Sequence, residues 1–262
     1  MKKYLKLIFF VIMSCVIFIL IWATTITIVK NIEKIALVEQ FKSRGVLVED
    51  KSDSNTKFYK IASNEKRPTY TPVGSAIYPG TKGDILVTTQ AVVGTGLPFI
   101  GDFLNGFVGF YAGGHAALST MDYRDSDISL TPKTSIEATG MRSGDNPATI
   151  FDRGYAWAYQ APYTEVIGLR VKMNEEEIDE VVSKTSSLID DPYNFSFIFN
   201  TRNTSYCTDI ISKGFSNKAH LNKDGFATTI YDLICTSDTY ISYYHYYDSN
   251  GVKHIYYLDW SE

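Results

Sequence analysis

The chain has 262 residues, 45% of them hydrophobic and 14% aromatic, enough for one sizeable core and too few for two large domains. The formal net charge is −4, but residues 1–30 hold Lys2, Lys3, Lys6 and Lys30 and no acid, so the remainder stands at −8. A domain that acidic excludes the electrostatic footprint of a nucleic-acid binder and offers no basic patch to anionic lipid.

The first predicted element is a membrane span. Leu7 to Val29 is a run without charge, Pro or Gly, and as a helix it is about 34 Å long, enough for the ~30 Å hydrocarbon core of a bilayer. A cleaved signal has a shorter apolar region followed by small residues, and Ala23-Thr24-Thr25 is a poor cut site, so a retained signal-anchor over residues 1–30 is expected. Ile12-Met13-Ser14-Cys15 has the outline of a lipoprotein box, but apolar sequence continues past the cysteine. A short N-terminal tail before one long span places the large domain outside the cytoplasm, in weak agreement with the positive-inside rule.

Residues 31–74 read as a membrane-proximal helix to about Gly45 and then a polar tether with one strand. The domain proper spans 75–262. Gly83 to Thr89 reads as a strand, residues 91–114 carry seven glycines among apolar residues, and strands follow near 115–121, 134–138 and 164–173. The glycine-rich stretch reads either as an apolar cover over the core or as an acyl-chain groove. Asn174 and Glu177 form a capping-box pattern ahead of a helix with Ile178, Val181, Val182, Leu188 and Ile189 as its apolar stripe, stopped by Asp191-Pro192. Tyr240 to Trp260 reads as an aromatic hairpin around Asp248-Ser249-Asn250-Gly251, with stacking on glycan rings as a functional alternative to ordinary strand packing. There is no repeat, Walker loop, dinucleotide fingerprint or zinc-type spacing, so no cofactor and no metal is expected. The mixture predicts a small α+β domain, one cysteine-bearing helix packed on an antiparallel half-barrel sheet.

Chemistry concentrates at three residues. Cys207 stands just before a helical run in which Ile210, Ile211, Gly214 and Phe215 fall at i+3, i+4, i+7 and i+8. A thiol at a helix start sits in the positive end of the backbone dipole, which favours thiolate. His115 lies in Gly113-Gly114-His115-Ala116-Ala117, without bulky neighbours, and Glu137 lies between Ile136 and Ala138, on the opposite strand face from both. Together they supply nucleophile, base and a group to orient the imidazole. Asp84 is the substitute orienter, though a Gly-Asp pair also serves to tie a turn. The Cys207 N–H supplies half of an oxyanion hole, with Tyr206 or Tyr193 as candidates for the other half. The bland alternatives are a core histidine, an exposed strand glutamate and a Cys207–Cys235 disulfide. His220, His245 and His254 receive no role.

The order His, Glu, Cys reverses that of papain. With Gly83-Asp84-Ile85-Leu86-Val87, the Gly-His strand, Ile136-Glu137-Ala138, Tyr193-Asn194-Phe195-Ser196-Phe197 and Tyr206-Cys207-Thr208-Asp209, the chain resembles the permuted papain-like amidases of YiiX/YaeF type, a branch of the NlpC-like superfamily. The resemblance covers roughly residues 75–240. It implies a thiol-dependent amidase acting through Cys207, His115 and Glu137 without cofactor or metal, on cell-wall peptide or on lipid-linked N-acyl substrate. A catalytically silent surface-binding module of the same fold is the alternative. Where the family often has Ser-Glu after the cysteine, this chain has Thr208-Asp209.

Overall fold

The computed structural model of the chain describes residues 2–63, 65, 82–89, 114–120, 135–138, 150–153, 157, 163–194, 203–222 and 228–260. Its first element, α1, runs unbroken from Lys2 to Ser43 and is long and apolar enough to cross a membrane. The separate membrane-proximal helix expected from residue 31 is therefore the last part of this one helix. From Leu5 to Ile21 the helix is exposed all round; beyond that one face is progressively covered, at Thr24, Thr27, Lys30, Lys34, Val38 and Phe41. That three-to-four spacing is the signature of a helix docking one stripe. Val38 and Phe41 belong to the main core, each 5% exposed or less.

Nine strands form one sheet among the described residues: β1 (Val46–Leu47), β2 (Thr56–Ala62), β3 (Ile85–Thr88), β4 (His115–Ser119), β5 (Ser135–Ala138), β6 (Ile150–Arg153), β7 (Glu165–Val171), β8 (Thr239–Tyr247) and β9 (Lys253–Asp259). Their order is β1-β2-β9-β8-β7-β3-β4-β5-β6. Three further helices follow β7: α2 (Glu175–Ser186), α3 (Cys207–Phe215) and α4 (Ile230–Cys235). The α+β expectation stands, but the sheet is mixed rather than purely antiparallel. β2 pairs in parallel with β9 over seven residues, from Thr56↔Lys253 to Ala62↔Asp259.

The strand expected within the tether is β2, and this pairing builds it into the domain sheet. The 56–62 segment is an integral strand because it completes the open edge of β9 and buries Ile61 fully. An unpaired β9 edge would leave a row of backbone donors and acceptors without partners. The β8–β9 hairpin turns at Asp248, whose carboxylate accepts from the N–H groups of Asn250 and Val252 at 2.8 and 2.9 Å.

The capping box of α2 forms as its sequence predicts, with Glu177 N–H donating to Asn174 Oδ1 at 2.9 Å and Asn174 N–H to Glu177 Oε2 at 3.1 Å. The α-helix ends at Ser186, so Leu188 and Ile189 pack from the turns after it, and Asp190 takes a positive φ of 75° there. α2 carries α3 against it at close range: a Cβ on Gly214 would lie 2.1 Å from Thr185 Oγ1. Ile210, Ile211 and Phe215 of α3, all 0% exposed, share one core with Ala116, Leu118 and Ile136 of β4 and β5. Each such side chain contributes about 1.5–3 kcal/mol on burial. Together they fix the start of α3 against the sheet.

Candidate active site

The strand register brings the histidine and the glutamate together. Ala117 on β4 faces Glu137 on β5, and His115 lies two residues from Ala117 on the same face. Diagonal neighbours across an antiparallel pair are about 7–8 Å apart, within reach of long side chains, and Ala117 leaves the space between them open. His115 Nε2 and Glu137 Oε2 are 2.5 Å apart, with Glu137 1% exposed.

Two aromatics cover the imidazole. The Trp157 ring stacks on it at 5.5 Å between centroids and 11° between planes, and Tyr163 tilts against it at 6.3 Å. Trp157 and Tyr163 pack with Leu86 and Ala117, on the sheet face opposite the α3 core. The first residue of α3 supplies the third group: Cys207 lies near enough to the imidazole for its charge to help hold the ring's proton.

His115 sits at the mouth of β4 because of Gly114. That glycine has φ 112°, and a Cβ there would lie 2.3 Å from the Thr88 carbonyl oxygen and 2.8 Å from Ile230 Cδ1. Only glycine fits both the backbone angle and the space. The start of α3 is held from the other side, where Thr208 Oγ1 donates to the Thr228 carbonyl at 2.6 Å and Lys213 pairs with Asp209 at 2.7 Å.

Burial alone would drive a charge off the His115 ring. The hydrogen bonds to Cys207 and Glu137, and the charges of those partners, outweigh it and raise the imidazole from 6.5 to about 10. A ring held between a thiol group and a carboxylate thus keeps its proton at neutral pH. Cys207, Cys235 and Cys15 are all free thiols, so no Cys207–Cys235 bridge is present.

The structure thus joins His115, Glu137 and Cys207 and gives Asp84 another partner. The Asp84 carboxylate receives Arg170 Nε at 2.7 Å and Nη2 at 2.9 Å, a buried two-pronged pair between β3 and β7. Both tyrosines singled out as donors lie in the field of Cys207. Burial first, then the charge of Cys207, pushes the Tyr193 phenol well above its ordinary value. Burial first, then the charge of Asp209, does the same to Tyr206. Trp157 was not singled out from sequence, since nothing local marks one aromatic among many as the cover of a histidine. Phe195, Ser196 and Phe197, and residues 91–113 of the glycine-rich stretch, lie outside the described residues.

Of the other histidines, His245 is 1% exposed and accepts or shares a bond with Tyr243 Oη at 2.9 Å, and His254 lies 3.2 Å from Asp248 Oδ2. Among the described residues, no three His, Cys, Asp or Glu side chains group as a metal site requires. Comparison of the chain with protein-family models, with curated proteins and with solved structures finds no match.

Proposed function

We propose that this chain is a membrane-anchored, extracytoplasmic cysteine hydrolase of permuted papain-like fold that cleaves amide bonds. One observation carries the reading. An imidazole hydrogen-bonded to a buried carboxylate stands in the field of a thiol at a helix start, the three drawn from elements far apart in sequence. A core histidine needs one partner, and a structural cysteine needs no imidazolium.

The chemistry follows from the relay. A helix start and a neighbouring imidazolium both favour thiolate at Cys207. Its sulfur attacks the amide carbonyl, and the oxyanion is received by the Cys207 N–H, with Tyr193 or Tyr206 as the second donor. His115 gives its proton to the nitrogen as the C–N bond breaks and the amine departs, leaving a thioester. Water then loses a proton to His115 and adds to the thioester, releasing the carboxylic acid and the thiolate. Glu137 holds the ring and balances its charge throughout. The substrate is a cell-wall peptide or a lipid-linked N-acyl amide.

The test is hydrolysis of a fluorogenic acyl-amide by the full chain in detergent or vesicles. Cys207→Ser and His115→Ala, both folded, are expected to lose at least about 1,000-fold. A Cys207→Ser variant as active as the parent would remove the reading. Protease added to intact cells is expected to digest the domain and spare the N-terminal tail; a protected domain would reverse the assigned orientation.

A further inference from the structure

We infer that α1 and α4 seat the catalytic centre in the interfacial layer of the bilayer, so that its substrate is an amide at headgroup level in a membrane-resident amphiphile. The substrate half rests on the amidase reading above; the seat itself does not, and neither half depends on which leaflet is involved.

The argument starts from where the domain grips its anchor. A helix needs about 20 apolar residues to cross the hydrocarbon core, so a span beginning at Leu7 leaves it near residues 26–29. Domain coverage of α1 begins at Thr24, and Thr27 is already 9% exposed, within the apolar run and not beyond it. Lys30, the first charged residue after the run, is ion-paired with Asp232 of α4. Cys235, at the other end of the same short helix, points its Sγ toward the Lys30 carbonyl at 3.6 Å. The docking stripe then continues to Val38 and Phe41 in the core, and the chain re-enters the sheet at β1 and β2. The domain is clamped to the anchor, not hung from it.

The clamp reaches the reacting groups in two steps. Asp232 closes the capping box of α4, its Oδ2 receiving the Thr229 N–H at 2.7 Å. Ile230, the first residue of α4, packs against the place where Gly114 turns into His115. The same stretch of chain holds α3, through the Thr228 carbonyl on Thr208. The relay therefore stands beside the helix that touches the first charged turn of the anchor. A centre fixed there cannot swing outward to a wall peptide, whereas an amide just above the acyl chains lies at its level.

Two measurements on the full chain in phosphatidylcholine vesicles test this. Nitroxides at the exposed positions Val29 and Ile35, each placed as a single cysteine after replacing the three native ones by Ser, report depth by collision. Val29 is expected to meet dissolved oxygen and Ile35 a water-soluble nickel chelate. A Val29 label that meets the nickel chelate and not oxygen would lift the domain off the surface and overturn the seat. The second measurement uses unmodified protein and two amides of aminomethylcoumarin, palmitoyl and acetyl. The palmitoyl amide is expected to be cut, about tenfold more slowly when its mole fraction in the vesicle is reduced tenfold at constant bulk concentration. Cleavage of the acetyl amide with the palmitoyl one spared would leave the amidase standing and overturn the substrate. Cleavage of neither would remove the amidase reading and the substrate with it, while the depth measurement still decides the seat.

Discussion

His115 on β4 and Glu137 on β5 are diagonal neighbours on one face of the sheet, and their Nε2 and Oε2 atoms lie 2.5 Å apart. The strand register delivers this contact, and Trp157 closes over it. The orientation of the imidazole against the carboxylate is therefore set by backbone pairing.

The first prediction concerns pH. Because His115 titrates near 10 in the folded chain and near 6.5 when free, the alkaline limb of kcat/KM is expected close to pH 10. Glu137→Gln removes a charge that favours the imidazolium and is expected to lower that limb by about one unit or more. The same shift affects folding. A raised histidine contributes stability fully below 6.5 and loses it as pH climbs toward 10, so the melting temperature is expected to fall across that window. An alkaline limb that stays near 10 in Glu137→Gln would detach the carboxylate from the relay.

A second prediction compares two glycines of positive φ. Gly114→Ala would place a Cβ against the Thr88 carbonyl oxygen and Ile230, whereas a Cβ on Gly251, with φ 78°, meets nothing within 4 Å. The hairpin variant is expected to cost about 1 kcal/mol, the left-handed penalty alone. The Gly114 variant is expected to cost about 3 kcal/mol or more and to lose thiol reactivity at Cys207. Equal losses of melting temperature in the two variants would contradict the close approach at the mouth of β4.

Much of this was legible in the residues, where the signal is local. The capping box at Asn174, the helix after Cys207 and the alternation that sets Glu137 apart from Ile136 and Ala138 are read within a few residues and all appear. The hairpin turn at Asp248 is local as well. What escaped depends on distant pairing. β2 joins β9 across nearly the whole chain, and its Lys57, Tyr59 and Lys60 give no clear alternation. The docked stripe of α1 is hidden because the apolar run is hydrophobic on every side, so periodicity cannot tell lipid from protein. Asp84 read first as a turn residue and only as a substitute orienter, and the register of β3 with β7 shows Arg170 beside it.

The third prediction separates that ion pair from the site. Asp84 and Arg170 are 2% and 6% exposed, and removing one partner strands a buried charge. Asp84→Asn or Arg170→Met is expected to cost about 3–5 kcal/mol in the denaturation midpoint. Replacing both, as Asp84→Leu with Arg170→Met, is expected to recover most of the loss, because two apolar side chains need no mutual charge. None of these variants is expected to move the alkaline limb set by His115. A limb displaced by Asp84→Asn in the folded protein would return Asp84 to the candidate orienters.

The last prediction sets two thiols of the same domain against each other. Iodoacetamide reacts with thiolate, so its rate follows thiolate fraction and access. Cys235 is poor in both respects: burial first, then the negative charge of Glu33, pushes it up to about 12, and its sulfur faces the Lys30 carbonyl. Cys207 has the helix start and the His115 imidazolium. Near pH 7, Cys207 is expected to alkylate at least about 100-fold faster than Cys235, read by mass spectrometry of the separated peptides. His115→Ala should slow Cys207 at neutral pH, because it removes the imidazolium beside the thiol. Glu137→Gln should act in the same direction but less, since it weakens the imidazolium without deleting it. A folded His115→Ala that alkylates as fast as the parent would show thiol and imidazole to be uncoupled, and a silent binding module would then describe the domain better than a hydrolase.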